Sequence, residues 1–347
     1  MMRLWSLAGF RRSRVNLAAA HGPAVAGTLR ARRWPPWACA ALLLIATGAA
    51  TQTIPTAPAS RPIPIADQEP ITPIPEPPAA DPLKLALGER LFADTRLSND
   101  GKLACSSCHD INTNGTGREY AMARHDGSKA PFDTLTIFNA PLSFRLNWEG
   151  NFRTLEAQAE SSLENPANMA TSVEDVVGRL NADPEIVRQF RAAYGRAPDR
   201  SSLLDALATF EKSLITPGSR FDRWLAGETS ALSAAELHGY EIFKSFGCVS
   251  CHQGVNVGGN LFQRQGIFRP LVHAKPDVVR VPSLRNVATT APYFHDGSAA
   301  TLQETVRKMA AAQLDRSLTD DQVSALVAFL QTLTGNYRGI PVKAAPP

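Results

Sequence analysis

From position 81 onward the apolar residues recur at helical spacing. In DPLKLALGERLFAD, Leu83, Leu87 and Leu91 fall at i, i+4 and i+8. Asp81 stands before them as an N-cap and Pro82 at the first helical position, so the stretch predicts an amphipathic helix. SVEDVVGRL opens with Ser172 and Asp175 at capping-box spacing. Leu203, Leu207, Phe210 and Leu214 mark another helix, closed by Pro217. SAAELHGYEIFKSFG and TDDQVSALVAFLQTL carry the same period. No stretch alternates convincingly with period two, so the predicted fold is mainly α, with long Gly- and Asn-rich loops.

Among these helices lie two copies of one five-residue pattern, CSSCH (Cys105 to His109) and CVSCH (Cys248 to His252), with their histidines 143 positions apart. Cysteines three apart share one face of a helical turn, where both sulfurs reach the two vinyl groups of one porphyrin. The adjacent histidine then lies under the ring as an iron ligand. A zinc site would need a second Cys or His pair close by, and neither motif has one. Four of the five cysteines are spent in these motifs, and the fifth, Cys39, lies near the N-terminus. Two covalently bound haem c groups are therefore predicted. GERLF precedes the first motif and GYEIF the second, which reads as two tandem cytochrome-c-like haem domains. The expected division is an N-terminal haem domain over 83–217, a C-terminal one over 218–338 and a tail over 339–347.

Charge changes the picture only at the N-terminus. The first fifty residues hold seven Arg and no Lys, Asp or Glu, leaving 29 basic against 32 acidic residues in the rest. The high overall isoelectric point thus belongs to the leader, and no basic stripe points to nucleic acid. Residues 37–50 are uncharged and mostly apolar after a run of arginines. Residues 1–50 read as an export signal, with an uncleaved inner-membrane anchor as the alternative and FRRSR as a hint of a twin-arginine signal. Export to an oxidising compartment, the periplasm, suits haem attached through thioethers. Residues 51–82 are Pro-rich and read as an extended linker.

Each iron also needs something on its far side. After His252 the candidates are His273, His295 and Met309. Met309 follows Leu302 and Val306 at helical spacing, so core packing is an equal reading. In the first domain the candidates are Met122 and His125, the latter in a Gly-containing loop where histidine is ordinarily just solvated. His21 falls in the leader, and His238 on a helix as a surface residue.

From about Leu83 to Thr334 the chain resembles the bacterial di-haem cytochrome c peroxidases. The resembling stretches are LGERLFADTRLSNDGKLACSSCHD, TIFNAPLSF, ITPGSRFDRWLAG, GCVSCHQGVNVGGN, VPSLRNVATTAPYFHDGS and AFLQTLTG. The resemblance implies a low-potential peroxidatic haem at Cys105, Cys108 and His109, with His125 as its removable sixth ligand. It implies a high-potential electron-entry haem at Cys248, Cys251 and His252, with Met309 as its sixth ligand. Trp148 matches the family's bridging tryptophan. A calcium site falls on Asp133, where the family usually has Asn, with carbonyls from Thr290 and Pro292; hard cations favour such oxygens. The di-haem enzyme that matures methylamine dehydrogenase carries tyrosine where this chain has Met309.

One position departs from the pattern. The family's distal acid lies in an NPxEM segment, and this chain reads NPANM, with Asn168 in the glutamate position. Asparagine hydrogen-bonds but does not titrate, and a lost general acid–base costs about 10²–10⁴-fold in rate. Glu160 and Glu164 are nearby in sequence. The activity implied is periplasmic reduction of hydrogen peroxide to water with electrons from a small cytochrome c or cupredoxin, in a family that often forms homodimers. The rival reading is a di-haem electron carrier or a protein-modifying oxidase with little peroxidase turnover.

Overall fold

The computed structural model describes residues 68–117, 132–272 and 275–345. The leader, most of the linker, Met122, His125 and His273 lie outside the described residues. Ten helices follow in order among the described residues: α1 Pro82–Phe92, α2 Cys105–Cys108, α3 Leu155–Glu164, α4 Val173–Asn181, α5 Pro184–Tyr194, α6 Arg200–Lys212, α7 Arg220–Leu225, α8 Ala234–Ser245, α9 Leu302–Leu314 and α10 Asp320–Gln331. Two small antiparallel pairs complete the chain, β1 Phe262–Arg264 with β2 Val278–Arg280, and β3 Asn336–Tyr337 with β4 Ile340–Pro341. The mainly helical expectation holds. The strands escaped notice because each has only two or three residues, too few for an alternation to register. No helix among the described residues is long and apolar enough to cross a membrane.

Local chemistry explains the helix starts. Asp81 accepts from the backbone N–H groups of Leu83 and Lys84 with Pro82 at the first turn, filling donors that a helix leaves open. Ser172 accepts from Asp175 N–H, although the reciprocal arm of the box is absent. On α1, Leu87 and Leu91 are buried, whereas Leu83 is 53% exposed. The buried stripe thus begins one turn later than the spacing implied, and the first turn meets α6 through Lys84, which pairs with Asp205 at 2.9 Å.

The described residues form one compact unit with two principal cores. Leu87, Leu91, Val176, Leu180, Phe190 and Leu207 lie in the first. Phe221, Tyr240, Phe243, Val327, Phe329 and Leu333 lie in the second. The same crossing is built twice. In α1 a Cβ on Gly88 would fall 2.1 Å from the Ala206 carbonyl oxygen of α6, and in α8 a Cβ on Gly239 would fall 1.9 Å from the Ala325 carbonyl oxygen of α10. Only glycine permits backbones so close. The GERLF and GYEIF repeat is thus a repeat of helix crossings.

The two halves meet at a buried hydroxyl. Asn139 and Asn286 both adopt left-handed backbone, with φ of 61° and 60°. Each is followed by a short 3₁₀ turn, Ala140–Leu142 and Val287–Thr289. Each donates its amide to Thr216 Oγ1, at 2.7 and 3.0 Å. Asn139 Oδ1 accepts from Thr216 N–H, and Asn286 Oδ1 from Gly335 N–H.

The Pro-rich stretch is not wholly a spacer. Its last part docks on the second core: Ile71 is fully buried, Pro70 O accepts from Gly254 N–H, and Thr72 O accepts from Arg285. Asp222 accepts from Ile74 N–H and pairs with Arg285 at 2.8 Å in the interior. Glu69 accepts from the Tyr240 hydroxyl at 2.7 Å.

Gly239→Ala is expected to destabilise the fold by about 1–3 kcal/mol through overpacking. Gly178→Ala on α4, where nothing lies within 4 Å of the added carbon, should be neutral or slightly stabilising because alanine favours the helix; thermal unfolding of the two variants checks this. Thr216→Val should cost more than either, since it strands two buried amides at about 1–3 kcal/mol each. A melting temperature unchanged by Thr216→Val would remove the junction's importance.

Candidate functional site

Each CxxCH motif places its histidine at the end of a tight turn. α2 spans the first cysteine pair, and a 3₁₀ turn over Cys248–Ser250 begins the second. None of the four cysteines is in a disulfide. His109 Nδ1 lies 3.2 Å from Gly115 O, and His252 Nδ1 lies 3.2 Å from Val257 O. A carbonyl only accepts, so Nδ1 carries the hydrogen in both rings and each Nε2 keeps its lone pair. Burial lowers the pKa of both, His252 to about 4. Both imidazoles are therefore neutral and fit to bind a metal through Nε2.

One cavity of about 570 Å³ reaches both histidines. Its lining from the first half includes Leu135, Ile137, Phe138, Leu146 and Leu155; from the second come Phe243, Val281, Leu302, Val306 and Leu330. Such an apolar wall with a few polar groups suits a flat hydrophobic cofactor. Arg280 strengthens the fit. It lines this cavity and is buried, with its Nε donating to Asn147 O at 3.1 Å. It forms no ion pair among the described residues, and burial lowers its pKa. A buried cation without a carboxylate is costly, and porphyrin propionates would supply one. The residues present thus fit haem at both motifs.

Most of the residues singled out in the sequence converge here. Trp148 lines the cavity and donates Nε1–H to Asp133 O at 3.0 Å. Its ring lies 4.2 Å from that of His295, which also lines the cavity and whose Nε2 is buried without a hydrogen-bond partner among the described residues. Met309 lines it together with Leu302 and Val306, so the apolar stripe of α9 faces the cavity. Asp133, Thr290 and Pro292 line it too. Gly297 packs between Asp133 and Pro292: an added Cβ there would lie 2.7 Å from Asp133 Oδ2 and 3.1 Å from Pro292 Cγ. His125 lies outside the described residues.

Asn168 is placed differently. It is exposed, on the turn after α3 where its N–H donates to Asn165 O, and it is not among the cavity's lining residues. Glu160 is ion-paired with Arg200 and, with Glu164, borders a separate surface depression. The polar groups that α3 and α6 present to the cavity are instead Gln158 and Glu211. Neither was picked out in the sequence. Gln158 follows Leu155 by three on α3, and that spacing is the one local sign that it shares a face with the wall.

Sequence and fold comparisons bear on this arrangement. The family described as di-haem cytochrome c peroxidase matches residues 82–230, and the cytochrome c family matches residues 237–334. Cytochrome c551 peroxidase of Nitrosomonas europaea is 37% identical over 300 residues, covering 82% of this chain and 89% of that protein. The cytochrome c peroxidase Ccp of Escherichia coli is 36% identical over 287 residues, 78% of this chain and 62% of the relative. Among solved structures, a MauG-like protein associated with microbial copper homeostasis superposes with a TM-score of 0.64 at 28% identity, covering 76% of this chain and 93% of that one.

Proposed function

The chain belongs to the di-haem cytochrome c peroxidase family, and from that premise we propose that it reduces hydrogen peroxide to water with electrons from a small one-electron donor. The observation that carries this reading is the pair of neutral histidines, each with Nδ1 fixed by a backbone carbonyl, opening on one cavity that Trp148 also lines. In this reading Cys105 and Cys108, and Cys248 and Cys251, form the thioethers, with His109 and His252 as the proximal ligands. Haem held there would supply an iron that changes oxidation state and can activate peroxide.

The chain's own residues divide the remaining work. The carbonyls of Gly115 and Val257 orient the two imidazoles and raise their basicity as ligands. Met309, from the cavity face of α9, would be the second protein ligand of the haem at His252, and His/Met ligation would raise its potential as an electron-entry site requires. His125 is the removable ligand of the first. Trp148, held by Asp133 O on one side and by Arg280 N–H on its own carbonyl at 2.7 Å, is the conduit between halves. Gln158 orients the oxidant but cannot titrate. The Asp133 carboxylate with the carbonyls of Thr290 and Pro292 offers hard oxygen ligands for calcium beside Trp148. The donor, a cytochrome c or cupredoxin, docks near the second haem, and the leader directs the chain to the periplasm.

A second reading is supported by Asn168, which replaces a titratable group and lies at the surface: an electron carrier or a protein-modifying oxidase that turns over peroxide poorly. Steady-state turnover with peroxide and a reduced cytochrome c separates the two. For a peroxidase, Asn168→Glu should leave the rate within a few-fold; a rise of about 10²-fold or more would favour the second reading. Electron paramagnetic resonance of the half-reduced protein is expected to show the first iron losing its sixth ligand. His125→Gly should remove the need for that reduction. If both irons stay six-coordinate in every redox state, the peroxide-reducing reading fails.

A further inference from the structure

We propose that Glu211 is the group that holds and delivers the proton consumed at the first haem site, the work that Asn168 cannot do. This inference rests on the peroxide-reducing reading above. Glu211 is the last residue but one of α6 and is 5% exposed. It lines the cavity that His109, Leu155 and Gln158 also line. Phe210, the residue before it, belongs to the apolar cluster on which Cys105 of the first attachment motif packs.

Among the described residues, its surroundings give it no paired cation. Lys212, the next residue, turns away to pair with Glu156 at 3.1 Å. Among the described residues no Lys, Arg or His forms an ion pair with Glu211. Glu156 from α3 faces it with like charge, and Lys212 from its own helix partly offsets that; Cys105 from α2 does not titrate once it is a thioether. The other helices against α6 send their charges elsewhere, Lys84 of α1 to Asp205 and Arg179 of α4 to the Thr171 hydroxyl. A carboxyl buried without a counter-ion is held neutral. Burial, with Glu156 adding to it, raises Glu211 to about 8, so at neutral pH it carries a proton. Core packing alone has no use for a carboxyl at this wall, where an apolar side chain would cost nothing in desolvation.

The step balances with the donor already named. The O–O bond of hydrogen peroxide breaks, and the departing hydroxide takes the Glu211 proton and leaves as water. The oxygen that remains, with its own hydrogen, takes two electrons from two molecules of reduced donor and one further proton to become the second water. Glu211 regains its proton from solvent. Because a nearby iron binds its electron more readily when the carboxyl is neutral, reduction and protonation of Glu211 are linked.

The test uses the two-haem protein, comparing wild type, Glu211→Gln and Glu211→Asp. In wild type the reduction potential of the first haem, followed by spectroelectrochemistry, should fall as pH rises through the region around 8. Glu211→Gln, which keeps the shape, should flatten that dependence and lower peroxide turnover at neutral pH by about 10²–10⁴-fold. Glu211→Asp should restore the slope. Infrared spectra should lose one protonated-carboxyl band in Glu211→Gln. If wild type turns over peroxide and Glu211→Gln keeps both rate and slope, the role of Glu211 is overturned and the peroxidase reading stands. If wild type turns over no peroxide, the peroxidase reading falls with delivery to peroxide, while the slope still decides whether Glu211 takes up the proton.

Discussion

Two asparagine amides converge on the hydroxyl of Thr216, and the relation between the two halves depends on that junction. A threonine oxygen has two lone pairs, and here both are used, one by Asn139 and one by Asn286. The three groups are buried, where unpaired amides would be expensive. Asn256 adds a further tie, donating to Asn139 O at 3.2 Å and to Ser143 Oγ at 3.1 Å. Because Asn256 follows His252 closely in the chain, the second motif is held directly against the loop of the first half. One cavity can therefore serve both histidines.

The halves are built alike and lined differently. Both have a glycine-mediated helix crossing, a left-handed asparagine and a short bridge-closed loop, Leu146 with Phe152 and Tyr293 with Ala299. The first half presents Gln158 and Glu211 to the cavity, whereas α9 presents Leu302, Val306 and Met309. The shared scaffold thus brings a carboxyl and an amide to the cavity from α6 and α3 in the first half and a thioether from α9 in the second, a difference that supports a division between chemistry and electron entry. Scaffold alone would not, since similar folds host unrelated activities.

Buried charge is used sparingly and each instance has a distinct setting. Arg285 and Asp222 pair in the interior, and each also bonds the docked segment, Arg285 donating to Thr72 O and Asp222 accepting from Ile74 N–H. A buried pair adds little net stability but strongly disfavours arrangements that break it, so it selects the docked path of residues 70–74. Arg280 and Glu211 have no such partners among the described residues, and both face the cavity. These two buried ionisable groups thus lie where a cofactor and a proton would meet them.

Helices, their caps, the two attachment motifs and the tandem repeat were legible in the sequence, because each is written within a few residues. The period of a helix, the reach of Asp81 to the next two N–H groups and the spacing of Cys105, Cys108 and His109 are local geometry. The junction at Thr216 was not legible: its asparagines sit 77 and 70 positions away, and nothing near Asn139 or Asn286 in the chain names their partner. Residues 69–74 read as a spacer because a Pro-rich segment makes few hydrogen bonds of its own, and the groups that receive it come from α7, α8 and the loop holding Arg285. Glu211, beside Lys212, looks like a solvated helix face until α3 and the first motif cover it. Which polar side chains end up buried, and so which pKa values move, is decided by contacts between distant segments, and only the tertiary structure sets those.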